Sequence, residues 1–325
     1  MATTPSPPRP TVEVVADFVT EQLEAHRKAW REKASQKDAR SPPLVLGVQG
    51  PQGSGKSYLA SGLPALLASQ NPPLRTASLS LDDLYLPHSG LSAVAQADPS
   101  NKLLSGRGQA GTHDLALGLE CLRALKAGGT EPVELPVFEK SLHGGEGDRL
   151  PREQWVKVDN PGEVDVVVFE GWMNGFRPLP SPPADHSLSA LYSLARNDRQ
   201  QARTALGIDY DEPFLLEHDL AHLEKVQGNL AAYEELWGMI DAFVQIKPER
   251  MGSVWEWRLE QEHNMKAKNG GIGMTDEQVK HFIARYMPGY EVFLRGIDDP
   301  SSTWTGKGLR VVIGKKREVK AVERF

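Results

Sequence analysis

Apolar positions along the chain follow two rhythms. Between residues 11 and 35 they recur every three or four positions. Val14, Val15, Phe18, Val19, Leu23 and Trp30 then share one stripe, which predicts a single amphipathic helix. Elsewhere they come in short unbroken runs. "SPPLVLGVQ" (41–49) reads as a turn and a strand, "RTASLSL" (75–81) as a second strand, and "VDVVVFE" (164–170) as a third. "DAFVQI" (241–246) is a fourth and "GLRVVIGKK" (308–316) the last. Helical stretches separate them. "KSYLASGLPALLASQ" (56–70) is stopped by "NPP", and a helix from an N-cap at Thr112 runs through Lys126 and closes at Gly128 and Gly129. "RLEQEHNMK" (258–266) is charged and helical, and "TDEQVKHFIARYM" (275–287) opens with the capping-box spacing of Thr275 and Gln278. Strands that are apolar throughout and alternate with helices imply an α/β fold, with a parallel sheet covered on both faces.

Two stretches break the rhythm. Residues 1–10 are proline-rich and read as a disordered tail, ahead of an N-terminal helical region at 11–39. Residues 178–215 open with "PLPSPPADH" and continue as a polar, helix-like piece, read as a surface insertion in one domain spanning 40–325. Composition narrows the setting. The 325 residues carry a net charge of −6, which argues against a nucleic-acid partner. The single cysteine, Cys121, allows no internal disulfide and suits a reducing compartment; its place in a helix makes it a buried apolar residue. No apolar run approaches the length a bilayer crossing requires, and the N-terminus lacks an apolar leader core, so the expectation is cytoplasmic.

The chemistry starts at "GPQGSGKS". Gly50 to Ser57 satisfies G-x-x-x-x-G-K-[ST] between a strand and a helix. Glycines let several N–H groups converge on one anion, and the helix N-terminus adds positive charge. The loop Gly50, Pro51, Gln52, Gly53, Ser54, Gly55, Lys56 and Ser57, with Tyr58 next to it, is therefore a nucleoside-triphosphate cradle. Lys56 is placed on the β- and γ-phosphates and Ser57 on Mg²⁺.

Carboxylates end two of the strands. Asp82, in "SLDDLY", sits where an acceptor hydroxyl could be oriented and deprotonated. A turn aspartate capping the next segment is the plainer reading, and one that suits Asp83. Glu170 closes the third strand and can reach Mg²⁺ through water, so the candidate metal set is Ser57, Asp82 and Glu170. Two glycine-punctuated loops, 101–114 and 135–149, carry Arg107, His113, Asp114, Lys140 and Arg149. These fixed charges suit a small anionic acceptor, although each alone is also an ordinary surface or capping charge. Arg258 on the charged helix fits either a lid arginine that neutralises the moving phosphoryl or a surface arginine paired with Glu262 at i, i+4.

Together "GPQGSGKS", "SLDDLY", "NKLLSGRGQAGTHD", "EKS…GEGDR", "FEGWMNGF", "WRLEQE" and "GMTDEQVKHFIARYMPGY" resemble the D-glycerate 3-kinases of the plant and fungal type, over residues 40–295. The resemblance implies a three-layer α/β/α P-loop NTPase fold with a mostly parallel sheet and a mobile lid helix, like phosphoribulokinase, uridine kinase and pantothenate kinase. It implies ATP and Mg²⁺ as cofactors and D-glycerate as the small-molecule acceptor. It makes Asp82 the group that activates the acceptor hydroxyl, Ser57 and Glu170 the residues near the metal, and Arg258 the lid arginine. The carboxylate of the acceptor would pair with Arg107, His113, Lys140 or Arg149. The chain departs from the pattern at Pro136-Val137-Phe138-Glu139-Lys140-Ser141, where the family has an arginine or lysine, a tyrosine and an aspartate before Lys-Ser. That leaves room for a same-fold kinase of a nucleoside, pantothenate or a sugar phosphate. A low-turnover ATP-binding regulatory protein is the reading from another class. The cysteine pair of the plant enzymes is absent.

Overall fold

A computed structural model describes residues 9–34, 40–182, 184–268, 270–271 and 273–325. The expected disordered tail lies, up to residue 8, outside the described residues. Six strands form the central sheet: β1 (Leu44–Gln49), β2 (Thr76–Ser80), β3 (Val166–Gly171), β4 (Ala242–Pro248), β5 (Gly308–Ile313) and β6 (Val319–Arg324). Their order is β6-β5-β4-β1-β3-β2, and every pairing is parallel except β5 with β6. The inner strands are buried on both faces, as their unbroken apolar runs require. Helices cover both faces, giving the three-layer α/β/α arrangement. β6 is an addition to the expected set: "VKAVER" lies along an exposed edge and has no apolar run to announce it.

α1 (Thr11–Lys33) packs on α2 (Lys56–Ala68), burying Val15, Phe18, Val19 and Leu23. Trp30, expected on the same stripe, is 36% exposed. A 23-residue helix is about 35 Å long at 1.5 Å per residue, so its last turns overhang the six-residue strands. Asp165, at the start of β3, ties this end down by accepting from Arg27 (2.5 Å), Arg40 (2.6 Å) and the Arg75 N–H (2.8 Å).

Further along the chain come α3 (His88–Ala97) and α4 (Leu115–Ala127). The N-cap of α4 is Asp114, not Thr112: the Asp114 carboxylate accepts from Leu117 N–H at 3.1 Å. Thr112 instead donates to Gln109 O inside the preceding turn. Cys121 is buried on α4, and burial pushes its thiol up to about 11. Residues 178–215 contain α5 (Leu188–Asn197) and α6 (Arg199–Leu206), whose inner residues Leu191, Ala195 and Ala202 join the main core. Glu291, 2% exposed, accepts from Tyr210 OH (2.5 Å), Phe214 N–H and Leu215 N–H, and so anchors the end of that segment. α7 (Leu220–Leu230), α8 (Ser253–Lys268) and α9 (Asp276–Ala284) follow. α9 opens with the expected capping box. Among the described residues no helix is long and apolar enough to cross a membrane.

Candidate active site

Parallel pairing aligns the C-terminal ends of the central strands. Glu170 stands opposite Val48 on one side and Ser80 on the other, so the phosphate loop, the Asp82 turn and Glu170 open onto one crevice. Its loop is built for an anion. Gly53 and Gly55 take positive φ, at 77° and 95°, and a Cβ on Gly53 would fall 2.5 Å from Trp257 Cβ. The N-cap of α2 is Gly55, with no side chain to cap the first turn, so the free N–H groups there await an external acceptor. Ser57 and Tyr58 are exposed, Tyr58 at 69%. Pro51 O accepts from Lys56 Nζ at 3.3 Å, and Gln52 N–H donates to Tyr290 OH at 3.3 Å. Burial pulls the Lys56 ammonium below its ordinary value, while the carboxylates of Glu170 and Asp82 pull it back up.

Two cavities meet at this loop, and Gly53, Lys56 and Ser57 line both. One, of about 300 Å³, also reaches Asp82, Glu170, Arg107, Lys140 and Arg258, with Tyr85, Trp172 and Tyr286 as aromatic walls. The other, of about 610 Å³, runs past Glu260, Gln261, Asn264 and Met265 of α8 to Arg317.

Asp82 lines the smaller cavity. Its Oδ2 accepts from Lys140 Nζ at 2.6 Å and its Oδ1 from Tyr85 OH at 3.1 Å. Burial raises the Asp82 carboxyl, but the Lys140 ammonium, aided by Lys56, outweighs it and holds Asp82 below the usual carboxylate range. Ser80 links the two acids: its hydroxyl donates to Glu170 Oε1 at 2.6 Å and accepts from the Asp82 N–H at 3.2 Å. Asp83 points elsewhere, accepting from Phe138 N–H at 3.0 Å, and burial pushes it up to about 6. Arg258 lines the cavity and also pairs with Glu262 at 2.8 Å, its guanidinium 5.1 Å from the Phe282 ring. The expected pair with Glu262 forms, but it is buried rather than on the surface, with Arg258 still lining the cavity.

Of the five residues expected to hold the acceptor, Arg107 and Lys140 line the cavity. His113, Asp114 and Arg149 do not. His113 is buried, stacked on Tyr85 at 4.4 Å, with Nδ1 2.7 Å from Tyr233 OH, and burial pushes it down to about 3, so it is neutral. Asp114 accepts from Arg149 Nη1 at 3.0 Å, and Arg149 Nη2 donates to Tyr85 O at 2.8 Å. All three brace Tyr85, which in turn holds Asp82. Capping and ion pairing within the fold consume the charges that the loop spacing made available.

Other groups carry no local sequence signal. Arg317, on the β5–β6 turn, donates to Gly53 O at 2.7 Å and to Glu260 at 2.9 Å, with its guanidinium 5.4 Å from the Trp257 ring. It thereby ties the C-terminal hairpin to the phosphate loop and to α8. Trp172, Tyr286 and Tyr290 pack edge to face behind the smaller cavity. They lie within motifs quoted above, but their place in the wall shows only in three dimensions.

No family model matches the chain. Among solved structures, a D-glycerate 3-kinase from Cryptococcus neoformans var. grubii is similar with a TM-score of 0.85 and 47% identity, over 98% of this chain and 100% of that one. The chain belongs to the D-glycerate 3-kinase family. An uncharacterized kinase of Schizosaccharomyces pombe is 36% identical over 284 residues, which is 87% of this chain and 89% of that protein. The chloroplastic D-glycerate 3-kinase of Arabidopsis thaliana is 34% identical over 281 residues, 85% of this chain but 54% of that protein. In this member of the D-glycerate 3-kinase family the variant segment from Pro136 to Ser141 is accommodated by packing. Phe138 is 5% exposed, lies edge to face on Tyr85 at 5.3 Å and sits 6.0 Å from the Arg107 guanidinium. A phenylalanine there needs no hydrogen-bond partner. Lys140 keeps its reach to Asp82.

Proposed function

We propose that the protein transfers the γ-phosphoryl of ATP to the 3-hydroxyl of D-glycerate, forming 3-phosphoglycerate and ADP. One observation carries the reading: Lys56 of the phosphate loop and Asp82 of the acceptor side face the same cavity of about 300 Å³. Both the Cryptococcus structure and the Arabidopsis relative bear the name D-glycerate 3-kinase.

The larger cavity takes the body of the nucleotide and the smaller one takes the acceptor, with the terminal phosphate where they join. Asp82, ionised at neutral pH, orients the attacking hydroxyl and accepts its proton as the bond to phosphorus forms. Lys56 and Arg258 neutralise charge on the moving phosphoryl group. Arg107 meets the acceptor carboxylate, since a planar guanidinium matches a planar carboxylate bidentately. Tyr85 and Lys140 fix the Asp82 carboxylate.

The residues present fit Mg²⁺. Among the described residues no cluster of three His, Cys, Asp or Glu could hold a metal unaided. Mg²⁺ binds through one or two carboxylates together with phosphate oxygens and water. Ser57, Glu170 and Asp82 supply hard oxygen donors in one cavity, and Ser57 with Glu170 would hold the ion. When bound, Mg²⁺ supplies charge neutralisation on the phosphates. A chain with one cysteine and no disulfide suits the reducing cytoplasm.

The test is Asp82→Asn. It keeps the shape and the Tyr85 contact but removes the base. Titration calorimetry should give unchanged ATP affinity, while transfer to D-glycerate falls by about 10²–10⁴. Transfer at the wild-type rate in that variant would remove Asp82 from the mechanism.

A further inference from the structure

Behind the acceptor cavity lies a separate chamber of about 390 Å³. The two share a wall made of Arg107, Phe282 and Tyr286. Its far side is α3, which presents Leu91, Ser92 and Ala95.

The chamber's charge balance is unusual for this molecule. Most of its partly buried arginines are neutralised by a carboxylate, such as Arg149 by Asp114 or Arg177 by Glu234. Arg107 and Arg285 have no carboxylate partner among the described residues. Arg107 Nη1 donates to two carbonyl oxygens, of Gly145 (2.6 Å) and Glu146 (2.5 Å). Arg285 Nη2 donates to Arg107 O at 3.3 Å, and its Nε has no partner among the described residues. The one acid in the lining is Glu146, and His88 Nε2 lies 2.7 Å from its carboxylate. Two adjacent guanidiniums with spare donors thus border a recess whose other walls mix apolar Leu91, Ala95 and Phe282 with polar His88, Ser92 and Gln96. Partly desolvated cations without a counter-charge are costly, and an anion that enters relieves that cost.

We propose that this chamber is a second anion site, distinct from the acceptor cavity, for a small organic acid bearing a carboxylate or a phosphate. Arg285 holds the anionic group, the Arg107 guanidinium shared across the wall adds its positive charge, and Leu91, Ala95 and Phe282 cover the carbon skeleton. Because Arg107 also lines the acceptor cavity, occupancy of the chamber is coupled to acceptor binding. Substrate, product and unrelated phosphates share this chemistry, and the probes below separate them.

The experiment is titration calorimetry on the full chain, saturated with a non-hydrolysable ATP analogue, Mg²⁺ and D-glycerate. That fills the phosphate loop and the acceptor cavity, so no turnover is needed. Inorganic phosphate and 3-phosphoglycerate are the two probes. One equivalent of at least one probe should bind to the wild type. If both bind, the chamber reads phosphate alone; if only 3-phosphoglycerate binds, it requires the carbon skeleton. Arg285→Gln should weaken that binding about tenfold or more, as expected for loss of a charge-assisted hydrogen bond, with kcat on D-glycerate within twofold of wild type. Ala95→Phe, which fills the chamber from the opposite wall, should abolish it with the same kinetics. A wild-type ternary complex that takes up neither probe overturns the proposal. So does a probe whose affinity is unchanged in both variants, or one that binds only by displacing D-glycerate. If D-glycerate itself fails to bind, the acceptor assignment is at fault. The two variants then still test the chamber in the complex with nucleotide alone.

Discussion

Replacing Lys140 by methionine removes the ammonium 2.6 Å from Asp82 Oδ2 and leaves the carboxylate in a partly buried site with its cationic neighbour gone. At an effective dielectric of about 20, unit charges that close attract by about 6 kcal/mol. Lys140 is 53% exposed, so water screens most of this, and Asp82 at 31% is better protected. Exposed pairs keep about 1 kcal/mol or less, while hydrogen bonds to charged groups reach about 1.5–3 kcal/mol. A net loss of about 2 kcal/mol of stabilisation of the ionised form raises the Asp82 carboxyl. The sign is fixed by the pairing: Asp82 is held below the usual carboxylate range, so loss of the cation moves it up. The assay is kcat/KM for D-glycerate from pH 3 to 8 at saturating ATP and Mg²⁺. The acid limb in Lys140→Met should move to higher pH, and Lys140→Arg should return it most of the way. A Lys140→Met profile with the wild-type shape, only scaled, would show that Lys140 does not set the charge state of the base.

Two further outcomes follow from the same geometry. Asp83 is pushed up to about 6 by burial. A carboxyl raised above its unfolded value of about 3.9 contributes stability that is present at pH 4 and lost as pH rises through 6. Asp83→Asn keeps an acceptor for Phe138 N–H and should raise the melting temperature at pH 8 by a few degrees, at most the roughly 3 kcal/mol that two pKa units represent, and leave it unchanged at pH 4. A melting curve with the same pH slope as wild type would contradict this. Arg317→Ala loses the bond to Gly53 O and the pair with Glu260. It should raise KM for ATP about tenfold and leave KM for D-glycerate alone; a change confined to the acceptor would place Arg317 outside the nucleotide site.

The parts of this protein that were legible in its sequence are those written in local pattern. Apolar runs mark the inner strands because both faces are buried, and the phosphate loop declares itself through glycines that positive φ and close packing demand. Asp82 and Glu170 were readable because a parallel sheet brings the ends of β2 and β3 to one edge. What was not legible depends on choice of partner. Asp114, rather than Thr112, caps α4, since both residue types can do so and the path of the chain decides. Arg149 and Arg107 look alike in their loops, yet one meets Asp114 and the other faces the cavity. Arg317 is 264 residues from the glycine it holds, and β6 is an exposed edge strand with no apolar run. Phe138 read as a departure that unsettled the acceptor, and the fold turns it into a packing residue against Tyr85.

The central claim is that the cavity between Lys56 and Asp82 phosphorylates D-glycerate. It is tested most directly by ADP release from ATP and Mg²⁺ with D-glycerate, L-glycerate, uridine, pantothenate, ribulose 5-phosphate or no acceptor. The account predicts strong stimulation by D-glycerate alone, with 3-phosphoglycerate as the product. ATP binding without stimulation by D-glycerate, or a larger response to another acceptor, would contradict it and place the difference in the 135–149 segment.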